Sequence, residues 1–266
     1  MKYSMNILIL FVSLLFSAQI AFSQESREIK KTLEIDKDGL VYIDTYKGSI
    51  SIETWDKSEV DIVAKVEADG WGNDEEEKVR DTKINIHGTS DKIEIETDYD
   101  RIKHYGISFF GLFGDDNSGS LPFVHYKIFM PSTARLKIKD YKSETNITNL
   151  NSSLKMETYK GTVTVKGIDG AVDLETYKGE VRIEYAKFSD ESKFETYKGR
   201  IELSIPHESG FRLDADLGRR ADFDSDFDMN IKHRSRDDDY YRATVNGGGP
   251  TLRIATEKGD IRIMSR

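Results

Sequence analysis

The chain contains no cysteine. That absence excludes disulfides, thiolate metal sites and cysteine nucleophiles, and it leaves no residue for a lipoprotein-type anchor. Nor does any apolar run, Ile7–Phe16 included, approach the ~20 residues that a membrane-spanning helix requires. Positive charge is not in excess: 39 Lys and Arg stand against 48 Asp and Glu, a formal net charge of −9. Nucleic acid and anionic lipid both call for a basic footprint, so neither is expected as the main partner. No Pro/Ser linker separates the halves, and no Gly-x-Ser-x-Gly elbow is present. His87, His104, His125, His207 and His233 show no metal-ligand spacing. Gly247-Gly248-Gly249-Pro250 precedes a strand pattern, not a helix, and reads as a turn rather than a phosphate cradle. No cofactor and no catalytic residue is expected.

What is present begins with an export pattern. Lys2 gives a weakly basic start, Ile7–Phe16 is almost wholly apolar, and Ala21-Phe22-Ser23 offers small residues around a cut before Gln24. This reads as a secretory signal peptide over residues 1–23, leaving a product in the periplasm or at the cell surface, with no stable membrane insertion after cleavage. Residues 24–266 then read as one elongated domain. The charged fraction of the whole chain, 33%, exceeds the ~25% of an average domain, which suits a thin body with much solvent-facing surface.

The strongest signal is an internal repeat. Thr-Tyr-Lys-Gly occurs at Thr45–Gly48, Thr158–Gly161, Thr176–Gly179 and Thr196–Gly199, with degenerate copies at Asp140–Ser143 and Thr256–Gly259. Tyr141, Tyr159, Tyr177 and Tyr197 are spaced by 18, 18 and 20 residues. Apolar positions keep this register: Leu136, Leu154 and Val172, then Ile138, Met156, Leu174 and Phe194. After each turn come Thr145, Val163, Val181 and Ile201, then Ile147, Val165, Ile183 and Leu203. Alternation of apolar and polar residues makes each unit a strand, a tight turn at Tyr-Lys-Gly, a strand and a second turn such as Gly167–Gly170. Glycine is expected there for a positive φ. The fold class is therefore all-β. A β-solenoid with 18–20-residue units, whose equivalent residues stack at about 4.8 Å, is favoured over an antiparallel meander. Glu157, Glu175 and Glu195 are expected to alternate with Lys160, Lys178 and Lys198 to relieve repulsion between stacked lysines.

Residues 24–130 read as an irregular N-terminal β part and 131–266 as regular repeats with a C-terminal cap. Ile29–Asp36, Leu40–Asp44, Ser49–Thr54, Val60–Glu67, Lys83–His87 and Lys92–Thr97 alternate as strands, while the charged stretch Asn73–Thr82 reads as a short helix.

These patterns resemble a known family. Val124–Pro131, Leu136-Lys137-Ile138 and the Tyr-Lys-Gly units, with Ile201–Pro206, Gly210–Ala215 and Thr251–Ile263, are similar to the bacterial adhesin-named family of exported β-strand-repeat proteins, a domain of unknown function. The tyrosine-rich turn looks most like Bacteroidetes versions. The resemblance covers most of residues 24–266 and implies an exported, β-helical protein without established catalytic residues.

Three segments are candidate sites. The turns would align Tyr46, Tyr141, Tyr159, Tyr177 and Tyr197 with their lysines along one edge. That edge is either a binding surface for a glycan or envelope protein, or a ladder that stiffens the turns. In Tyr105–Pro122, Phe109, Phe110, Leu112 and Phe113 form either a contact patch or a cover for an open end. Asp222, Asp224, Asp226 and Asp228 alternate with Phe223 and Phe227, giving a strand with inward phenylalanines or, more weakly, a calcium site. Exposed terminal strands offer edges through which a second copy can pair.

The sequence thus points to a non-catalytic surface-presenting protein of the envelope, adhesin-like or a protein-interaction scaffold. The alternatives are a periplasmic envelope-stress partner and, third, a polysaccharide-active β-helix enzyme, for which no carboxylate pair is singled out.

Overall fold

The computed structural model describes residues 25–70, 73–103, 120–218, 220–234 and 240–266. The N-terminal part contains β1 (Ser26–Glu34), β2 (Leu40–Asp44), β3 (Gly48–Trp55), β4 (Glu59–Glu67), the helix α1 (Asn73–Asp81), β5 (Lys83–Gly88), β6 (Lys92–Asp98), a short helix α2 (Asp100–Lys103) and β7 (Phe123–Pro131). Each strand anticipated from alternation is found, and so is the charged helix. In α1, acids occupy the first turn and bases the last, the sense that opposes the helix dipole.

The central repeats supply β8 (Arg135–Lys139), β9 (Glu144–Thr148), β10 (Leu154–Thr158), β11 (Thr162–Asp169), β12 (Val172–Thr176), β13 (Glu180–Lys187), β14 (Ser192–Thr196) and β15 (Arg200–Ile205). In β10, Leu154, Met156 and Thr158 are buried while Lys155 and Glu157 face solvent, so the period of two in the sequence becomes one wet and one dry face. β8, β10, β12 and β14 pair in parallel in one sheet, and β9, β11, β13 and β15 in a second. The register sets Leu136 beside Leu154 and Val172, and Val163 between Thr145 and Val181, the columns expected from sequence. Parallel pairing of equivalent residues is a solenoid; an antiparallel meander is ruled out.

The remaining strands are β16 (Phe211–Leu217), β17 (Asp222–Ser225), β18 (Asn230–Arg234), β19 (Tyr240–Val245), β20 (Thr251–Thr256) and β21 (Asp260–Ser265). Sheet order gives eight two-strand coils among the described residues: β6/β7, β2/β3, β8/β9, β10/β11, β12/β13, β14/β15, β20/β21 and β16/β17. Space and sequence disagree at both ends. The chain lays down β2/β3 before the outer coil β6/β7, and it lays down β16/β17 before β20/β21, which lies inside it. Antiparallel strands cover the ends, with β4 and β1 beyond β7, β5 beyond β6, and β19 and β18 beyond β16.

One hydrophobic core runs between the sheets, with Ile43, Ile50, Ile138, Phe194 and Ile263 fully buried. Each such side chain contributes roughly 1.5–3 kcal/mol by leaving water. At the N-terminal end, the free edge of β5 is blocked by β1. Arg27 donates to the Thr82 carbonyl, and Lys31 donates to that of Ile86 at 2.8 Å. Side chains that satisfy exposed carbonyls also discourage pairing with another strand.

The turn glycines correct one expectation. Of the Tyr-Lys-Gly glycines only Gly48 has a positive φ (135°); Gly161, Gly179 and Gly199 do not, and in the central repeats that conformation belongs to Gly167 (φ 71°) and Asn149 (φ 57°). Gly161, Gly179 and Gly199 are required by proximity instead. A Cβ on Gly179 would lie 2.3 Å from the Gly161 carbonyl oxygen, and one on Gly199 would lie 2.1 Å from that of Gly179.

Candidate functional site

Five tyrosine rings form a continuous stack along the edge where the first sheet turns into the second. Tyr46–Tyr141, Tyr141–Tyr159, Tyr159–Tyr177 and Tyr177–Tyr197 have centroid separations of 4.6, 4.9, 4.8 and 4.8 Å and interplanar angles of 9° or less. The separation is that of neighbouring strands, so the coil repeat sets the stacking distance. Tyr99 meets Tyr46 edge-on at 6.4 Å and ends the stack on one side. At the other end Lys258 lies 4.9 Å from the Tyr197 ring centroid and donates to its hydroxyl at 2.8 Å. The ring faces are therefore occupied by one another. What reaches solvent is ring edges and hydroxyls, with Tyr177 36% exposed. A glycan that recognises a free aromatic face finds none inside this stack.

The backbone and the threonines hold the edge in register. Each lysine N–H donates to the tyrosine carbonyl of the preceding coil: Lys142 to Tyr46, Lys160 to Tyr141, Lys178 to Tyr159, Lys198 to Tyr177 and Lys258 to Tyr197, at 2.8–3.1 Å. Thr158, Thr176, Thr196 and Thr256 are buried, and their hydroxyls accept from the N–H of Gly161, Gly179, Gly199 and Gly259 at 3.2, 3.0, 2.8 and 2.8 Å. In the divergent copy, Asp140 does this work, accepting from the Ser143 N–H (2.8 Å) and hydroxyl (2.6 Å) and from the Thr158 hydroxyl (3.0 Å). Burial raises the Asp140 carboxyl, and these hydrogen bonds offset part of that rise. Replacing Thr176 by Val keeps the shape and strands the Gly179 N–H, so Thr176→Val is expected to lose about 1–3 kcal/mol in urea unfolding while Thr176→Ser stays within ~0.5 kcal/mol of the parent.

The lysines do not alternate with the glutamates as the sequence led us to expect. Glu157, Glu175 and Glu195 stack in register on one another, on the outer face beside the edge. Glu195 instead pairs with Lys193 at 2.9 Å. Lys160 and Lys178 lie 5.4 and 5.3 Å from the ring centroids of the tyrosines that precede them. Lys142, Lys160, Lys178 and Lys198 are exposed, and among the described residues none has a carboxylate within ion-pair distance.

The first lysine of the motif behaves differently. Lys47 is buried; its ammonium donates to Asp69 Oδ2 at 2.7 Å and to Ser120 Oγ at 2.6 Å, and it sits 4.2 Å from the Phe123 ring centroid. Burial lowers the Lys47 ammonium, while Asp69 draws it back up. Thr45, Thr97 and Tyr126 extend this polar corner through hydroxyl contacts of 3.0 and 2.7 Å. Nothing in the sequence separates Lys47 from its four exposed equivalents, and Asp69 carries no motif.

Of the other candidates, Phe109, Phe110, Leu112 and Phe113 lie outside the described residues. The acidic segment is a strand only over Asp222–Ser225, so Asp226 and Asp228 lie beyond it. Its phenylalanines do turn inward: Phe223 packs on the core, and Phe227 is buried against Phe211 with centroids 5.3 Å apart. Asp224 faces Arg262 at 3.7 Å, and Asp226 accepts from the Ser265 N–H at 3.3 Å. Among the described residues no three His, Asp or Glu side chains are grouped as metal ligands. Nor is any described helix long and apolar enough to cross a membrane.

With this two-sheet solenoid, the sequence matches the profile of the Toastrack DUF4097 family over residues 22–264. The chain belongs to that family. Toastrack membership accords with the resemblance read from the strand and turn motifs. Two crystal structures are similar to the chain at low identity. One is of a provisionally named cell adhesion protein from Clostridium sporogenes, 11% identical, with a TM-score of 0.49 over 91% of this chain and 100% of that one. The other is of a provisionally named adhesin from Bacteroides fragilis, 10% identical, with a TM-score of 0.35 over 90% and 97%. No curated protein matches this Toastrack chain in sequence.

Proposed function

We propose that this Toastrack protein is a non-catalytic scaffold of the cell envelope that presents its Tyr-Lys edge to a partner, in the manner of an adhesin or interaction module. The observation that carries the reading is the repetition of one side-chain arrangement, stacked tyrosine beside exposed lysine, on successive coils. Such an edge is a straight, stiff strip, suited to contacts along its length rather than to chemistry at one point. Export rests on the signal-peptide pattern of residues 1–23. The same edge serves a regulatory role if the partner is a single envelope protein that reports stress.

A photocrosslinking amino acid at Tyr177, compared with the same group at Lys155 on the outer sheet face, tests the reading on intact cells. Capture of an envelope component from position 177 and not from 155 is the expected result. Equal capture at both, or none at 177, removes the edge as the working surface.

A further inference from the structure

The lysines of the edge form an ordered row of exposed cations with no ion pair among the described residues. Lys142, Lys160, Lys178 and Lys198 project from successive coils with no carboxylate partner, one ammonium for each tyrosine spacing of 4.8–4.9 Å. On both flanks, by contrast, several cations and anions pair. Lys155 pairs with Asp173 at 2.7 Å and Lys193 with Glu195 at 2.9 Å on one side; Arg182 pairs with Glu180 and Glu202 at 3.0 Å and Arg200 with Asp260 at 3.2 Å on the other. Stacked like charges repel, and a fold with a net charge of −9 has ample acid to neutralise them. The motif spends none of that acid on the row.

We propose that the Lys142–Lys198 row binds a linear acidic polysaccharide, its carboxylate or sulfate groups recurring from sugar to sugar along the coil axis. The inference rests on the reading of the edge as the working surface and names its ligand class. Two observations select a single anionic chain. The stacked rings leave no free face for a neutral sugar to cover, so charge and the row of tyrosine hydroxyls remain as the recognising groups. The register-stacked Glu157, Glu175 and Glu195 run alongside the row, and Glu144, Glu180 and Asp260 lie in the first outward column of the other sheet. A broad anionic surface such as a membrane meets these carboxylates as well as the lysines, whereas one polymer chain lies on the lysines alone.

The test is binding of the purified protein to polygalacturonate at low salt, beside methyl-esterified polygalacturonate, linear polyphosphate and phosphatidylglycerol vesicles. Polygalacturonate is expected to bind, to weaken as salt screens the charges, and to bind better than the other three. Each Lys→Gln change in the row should weaken binding about fivefold, the effect of one exposed cation facing an anionic array. The quadruple variant K142Q/K160Q/K178Q/K198Q should therefore lose several hundredfold, while the matching Lys→Arg quadruple keeps binding and near-ultraviolet tyrosine dichroism shows both folded. Lys30→Gln, Lys65→Gln and Lys92→Gln, at cations already paired with Glu28, Glu67 and Glu94, should leave binding unchanged. The proposal is overturned by no polygalacturonate binding, by equal binding of the ester, by tighter binding of polyphosphate or vesicles, or by equal loss in the paired-lysine variants. Capture of a protein from position 177 on cells, with no affinity for polygalacturonate, would end this proposal and leave the edge reading standing.

Discussion

Gly179→Val is expected to lower the melting temperature by roughly 6–12 °C, the equivalent of about 3 kcal/mol in a chain of this size. The cause is the approach of one coil to the next. A Cβ at residue 179 would stand 2.3 Å from the Gly161 carbonyl oxygen and 2.6 Å from Thr176 Oγ1. Backbone on one side and a buried hydroxyl on the other leave little to give way. Because the first added carbon makes the collision, Gly179→Ala should lose nearly as much as Gly179→Val. A glycine kept for a left-handed turn would behave differently, since alanine in that region loses only ~1–2 kcal/mol. Thermal unfolding of both variants separates the two causes, and a nearly neutral alanine would refute the close-approach account.

The second large effect is expected at Lys47. Lys47→Ala removes the ammonium between Asp69 and Ser120 and should lose about 3 kcal/mol in urea unfolding, the low end for breaking a buried pair, because the Asp69 side chain keeps 28% exposure. Lys47→Met should lose less, since it preserves an apolar stem beside Phe123. The loss should also depend on pH. Burial alone would raise the Asp69 carboxyl, but hydrogen bonds from Lys47 and Ser120, with the charge of Lys47, hold it below the ordinary carboxylate range. A carboxyl depressed on folding contributes stability that is complete above its unfolded value of about 3.9 and is lost as pH falls through the lower folded value. The gap between parent and Lys47→Met should therefore be constant near neutrality and shrink below about pH 4. A gap of unchanged size in acid would show that packing, not the ion pair, is what Lys47 supplies.

The repeat body was legible because a solenoid writes its contacts into the sequence at fixed intervals. Leu154, Met156, Val163 and Val165 recur one unit later as Val172, Leu174, Val181 and Ile183, and the strands pair them as the spacing implies. The Tyr-Lys-Gly string likewise announced an aligned edge. Three things were not legible, each because it depends on neighbours distant in the chain. Glycine in a tight turn looks alike whether it serves φ or clearance, and only the position of the Gly161 carbonyl decides. Lys47 and Lys160 share a motif, but their burial differs because β7 and the segment carrying Asp69 cover one and nothing described covers the other. The order of coils at the ends was hidden as well, since local alternation in Thr251–Thr256 cannot say which strands lie on either side.

That last feature makes residues 251–265 a keystone. Remove them from an ordinary stack and the end frays; remove them here and β14/β15 loses contact with β16/β17, to which it is then tied only by the short connection from Pro206 to Gly210. Arg266 fastens the insertion from outside, donating to Glu184 at 2.7 Å and to the Tyr185 carbonyl at 2.6 Å. The body's continuity is thus vested in its last two strands, which bridge two coils that adjoin in sequence but not in space.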